Sequence, residues 1–250
     1  MDREEELARA FDGQADRFER APVQSDPGAL ARLVAFAGFA PGARLLDAGC
    51  GPGLVAEAFL EAGCAVHGVD LSAEMVRRAR KRCARFGGRA TFEQVRVEDA
   101  APGPFDGAVS RFVVHHAPDP LAFVRAQVVR VRPGGAVVVQ DHTGDPDPAA
   151  ARWHEAVERA RDRTHTRNLS PGELLDLGTR AGLAELALRE EAFELDFDEW
   201  FDRGTPSLPK DEVRRLLAGG SARGFRPAPR AGGGLAIHCF RGTVRGIRPA

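Results

Sequence analysis

Residues 45–53, Leu-Leu-Asp-Ala-Gly-Cys-Gly-Pro-Gly, constrain the fold of this chain more than any other stretch. A short apolar run stops at three glycines separated by single residues, and a helix-like apolar pattern follows from Leu54. Glycine carries no Cβ, so the turn can take positive φ and let the backbone approach a neighbour closely. A buried strand, a tight turn and a helix form the opening unit of a parallel sheet, because parallel strands need a helical crossover.

The unit repeats along the chain. Strands are predicted at 43–48, 65–69, 91–97, within 105–114 and at 136–140. Helices are predicted at 54–62 and 73–86, and after Asp119-Pro120, an N-cap and first-turn proline that precede Leu121, Val124, Val128 and Val131. Before the first strand, Phe11, Ala15 and Phe18 recur at helical spacing up to Pro22, and Pro27 opens a second helix. After the fifth strand, Trp153, Ala156, Val157 and Ala160 share a helical face, and Ser170-Pro171-Gly172-Glu173 reads as a capping box for a helix that Gly182 ends. Strands are expected within 183–195 and 235–241. Between them, 196–234 holds Trp200, a short helix near 211–217 and Gly/Pro-rich flanks, the character of a lid-like insertion.

Composition removes several classes of function. Of 250 residues, 43% are hydrophobic, enough for one large core. Lys and Arg number 35 against 36 Asp and Glu, and the basic residues are interleaved with acids, which argues against a nucleic-acid partner. No stretch approaches the roughly 20 apolar residues of a membrane span. The beginning, MDREEELARAF, lacks the apolar core of a signal peptide. Cys50, Cys64, Cys83 and Cys239 have neither metal-ligand nor redox spacing, so reduced thiols in a cytoplasm are expected and no metal site is.

The glycine spacing discriminates between ligands. A dinucleotide turn needs G-x-G-x-x-G, whose third glycine would fall at Leu54; here the pattern is G-x-G-x-G with an acid two residues before it. S-adenosylmethionine has no pyrophosphate and does not require the dinucleotide spacing. Asp47 is placed to meet the ligand's amino group, directly or through water. Asp70 ends the second strand, where a carboxylate accepts hydrogen bonds from a ribose diol.

The segments LLDAGCGPG, VHGVDLSAEM, VEDA, FDGAVSRFVVHHAPDP and RVRPGGAVVVQD, in this order over about residues 40–142, resemble the motifs of class I S-adenosylmethionine-dependent methyltransferases. The resemblance is strongest to the small-molecule branch that includes the ubiquinone and menaquinone C-methyltransferases. ARDRTHTR and FDEWFDRGTP resemble the tail of a group of bacterial methyltransferases. The resemblance implies one domain over 1–250. It would be a Rossmann-like α/β fold, seven-stranded, mostly parallel and doubly wound. Residues 1–40 would form an N-terminal helical cap, 41–142 the cofactor-binding core, and 143–195 with 235–250 the rest of the sheet. The lid would be 196–234. It further implies that Gly49 and Gly51 line the methionine part of the cofactor and Asp70 binds the ribose. Leu71 and Met75 would lie against adenine, Asp99 with Glu98 would meet the adenine amino group, and Arg111 would lie near the methionine end. The segment from Gln14 to Phe18 would close over the cofactor. Two departures stand out: the link between Asp99 and Phe105 is short, and Phe18 stands where relatives often carry Tyr.

The reaction implied is an in-line displacement at an already activated methyl group, so the protein must chiefly align a nucleophile and exclude water. Candidate bases cluster after strands four and five: His115, His116, Asp141 and His142. His116 or His142 is expected to act as base or hydrogen-bond donor, since histidine titrates near neutrality. Arg161, Asp162 and His165 form a polar cluster suited to an anionic or polar substrate, although solvated helix charges give the same pattern. Phe193, Leu195, Phe197, Trp200, Phe201 and Leu208, with Trp153, suggest a small apolar or aromatic substrate. The alternatives are an RNA or protein methyltransferase, or a non-catalytic cofactor-binding protein. The first would favour a basic face or an Asn-Pro-Pro-Tyr-like motif after strand four, where Ser110-Arg111-Phe112-Val113 stands instead.

Overall fold

The computed structural model describes residues 3–231 and 233–250; Met1 and Asp2 of the predicted cap and Gly232 of the predicted lid lie outside the described residues. Three helices come first: α1 (Arg3–Arg20), α2 (Pro22–Ser25) and α3 (Pro27–Ala37). The alternating core follows as β1 (Arg44–Ala48), α4 (Leu54–Glu61), β2 (Ala65–Asp70), α5 (Ala73–Cys83), β3 (Ala90–Gln94), β4 (Phe105–Arg111), α6 (Pro120–Val128) and β5 (Val131–His142). The remainder is α7 (Pro148–Arg161), α8 (Pro171–Arg180), β6 (Ala184–Asp196), α9 (Phe197–Asp202), α10 (Lys210–Ala218), β7 (Phe225–Pro229) and β8 (Leu235–Ile247).

The strands form one sheet in the order β3-β2-β1-β4-β5-β8-β6. The pairs from β3 to β5 are parallel, and β8 runs antiparallel to β5 and β6. The order reverses between β1 and β4, which both start at the sheet centre and send their helices to opposite faces; at such a switch point the strand ends diverge and leave a crevice. Apolar side chains fill both faces. Leu45, Phe59 and Val66 belong to one cluster, and Leu46, Phe105 and Val137 to the other. Full burial of each Leu or Phe contributes about 2 kcal/mol.

The sheet has eight strands where seven were expected. The additional strand, β7, lies inside the predicted lid and pairs antiparallel with β8, Phe225 facing Cys239 and Pro229 facing Leu235. Its prolines, Pro227 and Pro229, concealed it: proline weakens a strand reading, yet an edge strand tolerates it. Strand β8 is also longer than predicted. Its first residues lie between β6 and β7, and its later ones between β6 and β5. The 196–234 segment is therefore anchored to the sheet. Its Phe197, Trp200, Phe201, Val213 and Phe225 are buried in a third core cluster with Val157 and Ile237. Among the described residues, no helix is long and apolar enough to cross a membrane.

Candidate active site

The turn after β1 takes the positive φ that its glycines permit, 73° at Gly49 and 84° at Gly53. A Cβ on Gly49 would lie 2.6 Å from a Val113 methyl, and one on Gly53 would lie 2.9 Å from the Ala79 backbone. The turn is tied to β2: the Gly49 and Cys50 amides donate to the Val69 carbonyl, and the Gly51 amide donates to Asp70 Oδ2 at 2.9 Å. The second Asp70 oxygen accepts from the Ser72 amide, also at 2.9 Å. Burial raises the Asp70 pKa against the pull of these amides.

A cavity of about 280 Å³ opens at this end of the sheet. Of the residues singled out in the sequence, Gly49, Gly51, Asp70, Leu71, Met75, Glu98, Arg111 and His116 line it; Asp47, Asp99 and His142 do not. Asp99 instead binds Arg96 at 2.8 Å and turns to solvent, so Arg96 holds its pKa down and Glu98 takes the wall position. The short link to β4 accounts for this slip of one residue. Asp47 is buried within β1, and its Oδ2 has no hydrogen-bond partner. Burial, reinforced by the negative charge of Asp70, pushes its pKa up to about 7.

Sequence reasoning missed much of the opposite wall. Helix α1 contributes Glu4, Leu7 and Phe11 as well as Phe18, and the turn that starts α6 contributes Pro118, Ala122 and Phe123. The one available signal was the Phe11–Phe18 periodicity, an apolar face that a first helix must bury somewhere. Arg111 is buried on the cavity wall, where it donates to Gln140 at 2.8 Å, to the Gln24 carbonyl at 3.0 Å and to the Val23 carbonyl at 2.8 Å. Phe112, which follows it, holds φ at 57°. That conformation is strained for a bulky residue.

The histidines separate into two kinds. His116 meets Thr164 Oγ1 at 3.0 Å and stands edge-on to Phe11. His142 packs between Phe112 and Phe193, with ring centroids at 4.6 and 5.2 Å. Burial lowers the pKa of each to about 3, so both are neutral and weakly basic, and the expectation of titration near neutrality does not hold for them. His115 differs. Its Nδ1 lies 2.5 Å from Asp141 Oδ1, and its amide donates to the other Asp141 oxygen at 3.0 Å. Burial opposes its protonation, but Asp141 outweighs burial and raises its pKa above the usual histidine value. The Thr166 amide and hydroxyl both donate to the His115 carbonyl, which fixes the turn.

The doubly wound sheet, the glycine turn after β1 and the acid closing β2 together define a class I S-adenosylmethionine-dependent methyltransferase. Residues 23–165 match the family described as a methyltransferase domain, more than half of the chain, and the chain belongs to that family. Its curated relatives include a ubiquinone biosynthesis O-methyltransferase of Xanthomonas campestris, 39% identical over 113 residues, which are 44% of this chain and 46% of that protein. The corresponding protein of Bordetella pertussis is 33% identical over 161 residues, 61% of this chain and 67% of its own length. The chain thus spans about half the length of the first of these relatives. In fold, it resembles the YcgJ protein of Bacillus subtilis, with a TM-score of 0.80 at 24% identity over 89% of this chain and 99% of that one. It also resembles a geranyl diphosphate methyltransferase solved with geranyl diphosphate and sinefungin, with a TM-score of 0.58 at 19% identity over 88% and 77% of the two chains.

S-adenosylmethionine is the cofactor of this class, and the residues present fit it. The glycine turn leaves a cradle that a Cβ at Gly49 would fill, and one Asp47 oxygen is sealed without a hydrogen-bond donor. The described residues contain no group of three or more His, Cys, Asp or Glu placed to hold a metal.

Proposed function

We propose that this protein transfers the methyl group of S-adenosylmethionine to a hydroxyl oxygen on a small apolar or aromatic molecule. The observation that carries this reading is the enclosed cavity, which runs from the glycine turn to His116, one residue from the His115–Asp141 pair. The O-methyltransferase relatives support oxygen as the acceptor atom. In this reading Gly49, Gly51, Asp70, Leu71, Met75, Glu98 and Arg111 hold the cofactor, and Asp47 neutralises its amino end from within β1. Asp99 serves only through Arg96.

The bound cofactor supplies an activated methyl group. The protein excludes water with α1 and the Pro118–Phe123 wall, and it receives the hydroxyl proton. His115 is the better base: Asp141 fixes the proton on Nδ1 and leaves Nε2 to accept. The rings of His115 and His116 are 4.0 Å apart, so neutral His116 orients the acceptor beside the base, and His142 supports Phe112.

Two measurements test the reading. Calorimetry with S-adenosylhomocysteine should show tight 1:1 binding, and methyl release over a panel of phenols, catechols and hydroquinones should show turnover. With an acceptor in hand, His115→Gln should lower kcat by roughly 10²–10⁴-fold and leave cofactor affinity unchanged. The wild-type rate should rise with pH through a pKa above the usual 6.5, because the imidazole must be unprotonated to accept. A kcat insensitive to His115→Gln would remove it as the base.

A further inference from the structure

The segment ARDRTHTR carries the polar cluster that the sequence offered to substrate, yet none of its residues lines the cavity. Its Asp162 and Thr164 are buried instead, each 1% exposed, and Thr164 touches His116, which does line the cavity. Burying a carboxylate and a hydroxyl is costly unless their hydrogen bonds are used. Here they are used. The Thr164 amide donates to Asp162 Oδ1 at 3.0 Å, and the Thr164 hydroxyl donates to the same oxygen at 2.6 Å. Arg161 donates to the other Asp162 oxygen at 3.2 Å.

These bonds fix the position of the His116 proton. Burial opposes the charge on Asp162, but Arg161 beside it and the two Thr164 bonds hold its pKa below the usual carboxylate value. An ionised carboxylate can only accept. A threonine hydroxyl has one hydrogen, and it goes to Asp162. The Thr164 oxygen, 3.0 Å from His116 Nδ1, is then left as an acceptor, so Nδ1 carries the proton. A neutral imidazole carries only one, which leaves Nε2 as a bare lone pair. Among the described residues Nε2 has no hydrogen-bond partner and is not sealed, and its ring stands on the cavity wall.

The Thr164–His116 bond is not needed to hold the segment in place, because Thr166 already does so. Its amide and hydroxyl donate to the His115 carbonyl at 2.8 and 2.7 Å. His115 reaches the same tautomer by another route, with Asp141 directly on its Nδ1. Two adjacent imidazoles, their rings 4.0 Å apart, are thus held by separate carboxylates with Nε2 unprotonated. His115 can take up a proton. His116 is too weakly basic for that and can only accept a hydrogen bond.

We propose that Asp162 and Thr164 are positioning residues that fix His116 as a hydrogen-bond acceptor, and that His116 Nε2 receives an O–H or N–H of the methyl acceptor other than the hydroxyl that is methylated. An ether, carbonyl or carboxylate at that point would set one lone pair against another and is disfavoured. The inference rests on the methyl-transfer reading, which places the acceptor beside His116, but the tautomer can be measured without any acceptor.

The test uses the full chain, isotopically labelled in its histidines and saturated with S-adenosylhomocysteine. Long-range proton–nitrogen NMR reads the tautomer, the His116 signals being those lost in His116→Gln. At neutral pH Nδ1 should resonate as a protonated nitrogen and Nε2 as a bare one. Catechol, resorcinol, hydroquinone and 2-aminophenol are then titrated calorimetrically beside phenol and 2-methoxyphenol. At least one two-donor ring should bind roughly five-fold or more tightly than both of the latter, the net worth of about one hydrogen bond. Thr164→Val should mix the tautomers, moving the Nε2 signal toward the protonated range, and should reduce the preference several-fold. Thr164→Ser, which keeps the hydroxyl, should restore both. The wild-type spectrum decides the tautomer even if Thr164→Val fails to fold. The proposal is overturned if Nε2 carries the proton in the wild type, if no two-donor ring is preferred, or if the preference is unchanged in Thr164→Val. Failure to bind S-adenosylhomocysteine would instead strike at the methyl-transfer reading.

Discussion

Asp47 shows how a single residue can be recognised in the sequence while its chemistry is not. Its place two residues before the first glycine marks it, but only the fold shows a carboxylate sealed in a strand near Asp70 with one oxygen unsatisfied. An acid whose pKa is raised on folding, here from 3.8 to about 7, binds more protons folded than unfolded between those values. Stability is therefore lost as pH rises from about 4 to 7 and stays low above, an effect of roughly 4 kcal/mol. Asp47→Asn should raise the Tm of the ligand-free protein at pH 8 by more than at pH 5, and should weaken S-adenosylhomocysteine binding. A Tm difference that does not change between the two pH values would contradict this account of Asp47. The histidines were legible as a cluster only. Which of them is basic depends on Asp141, a partner 26 residues away in the chain.

At the scale of elements, helix starts were the most legible feature, because caps are local chemistry. Asp26, Ser72, Asp119, Asp147 and Ser170 each accept from the first turn of the helix they precede. The box predicted at 170–173 is complete: Ser170 Oγ accepts from the Glu173 amide and Glu173 accepts from the Ser170 amide. Ser170→Ala should cost about 1 kcal/mol, measured by chemical denaturation, with no loss of cofactor affinity, since α8 packs on β6 and β8 and not on the cavity. Strands were less legible where pairing rather than pattern creates them. β7 exists because β8 offers it an edge, and β5 begins at Val131 because Phe105 pairs there before the register shifts by a bulge. Residues 97–99, expected to finish the third strand or follow it, form a single tight helical turn that sends Glu98 and Asp99 in different directions.

For the whole molecule, the decisive feature is that α1 bridges two parts of the fold over the cavity. On one side Asp12 accepts from Ser72 at 2.6 Å, and Glu19 binds Arg78 at 2.5 Å and Arg82 at 2.7 Å on α5. On the other side Gln14 binds Thr205, and Arg17 donates to the Asp202 carbonyl. Opening the cavity means breaking one set of these contacts. Glu19→Gln should raise the S-adenosylhomocysteine Kd several-fold, an effect that shrinks in high salt because the pairs are partly exposed to solvent. Amide exchange should quicken in α1 and remain unchanged in the sheet; uniform quickening would show general destabilisation instead. By itself the sequence determined the alternation of strands and helices, the glycine turn and its two acids, and hence the class, because periodicity, caps and φ > 0 are properties of neighbouring residues. The tertiary structure alone decided which carboxylate lines the cavity, which histidine is basic, and that the supposed lid is a core with its own strand. Those properties depend on burial and on charges far apart in the chain, and no local pattern encodes them.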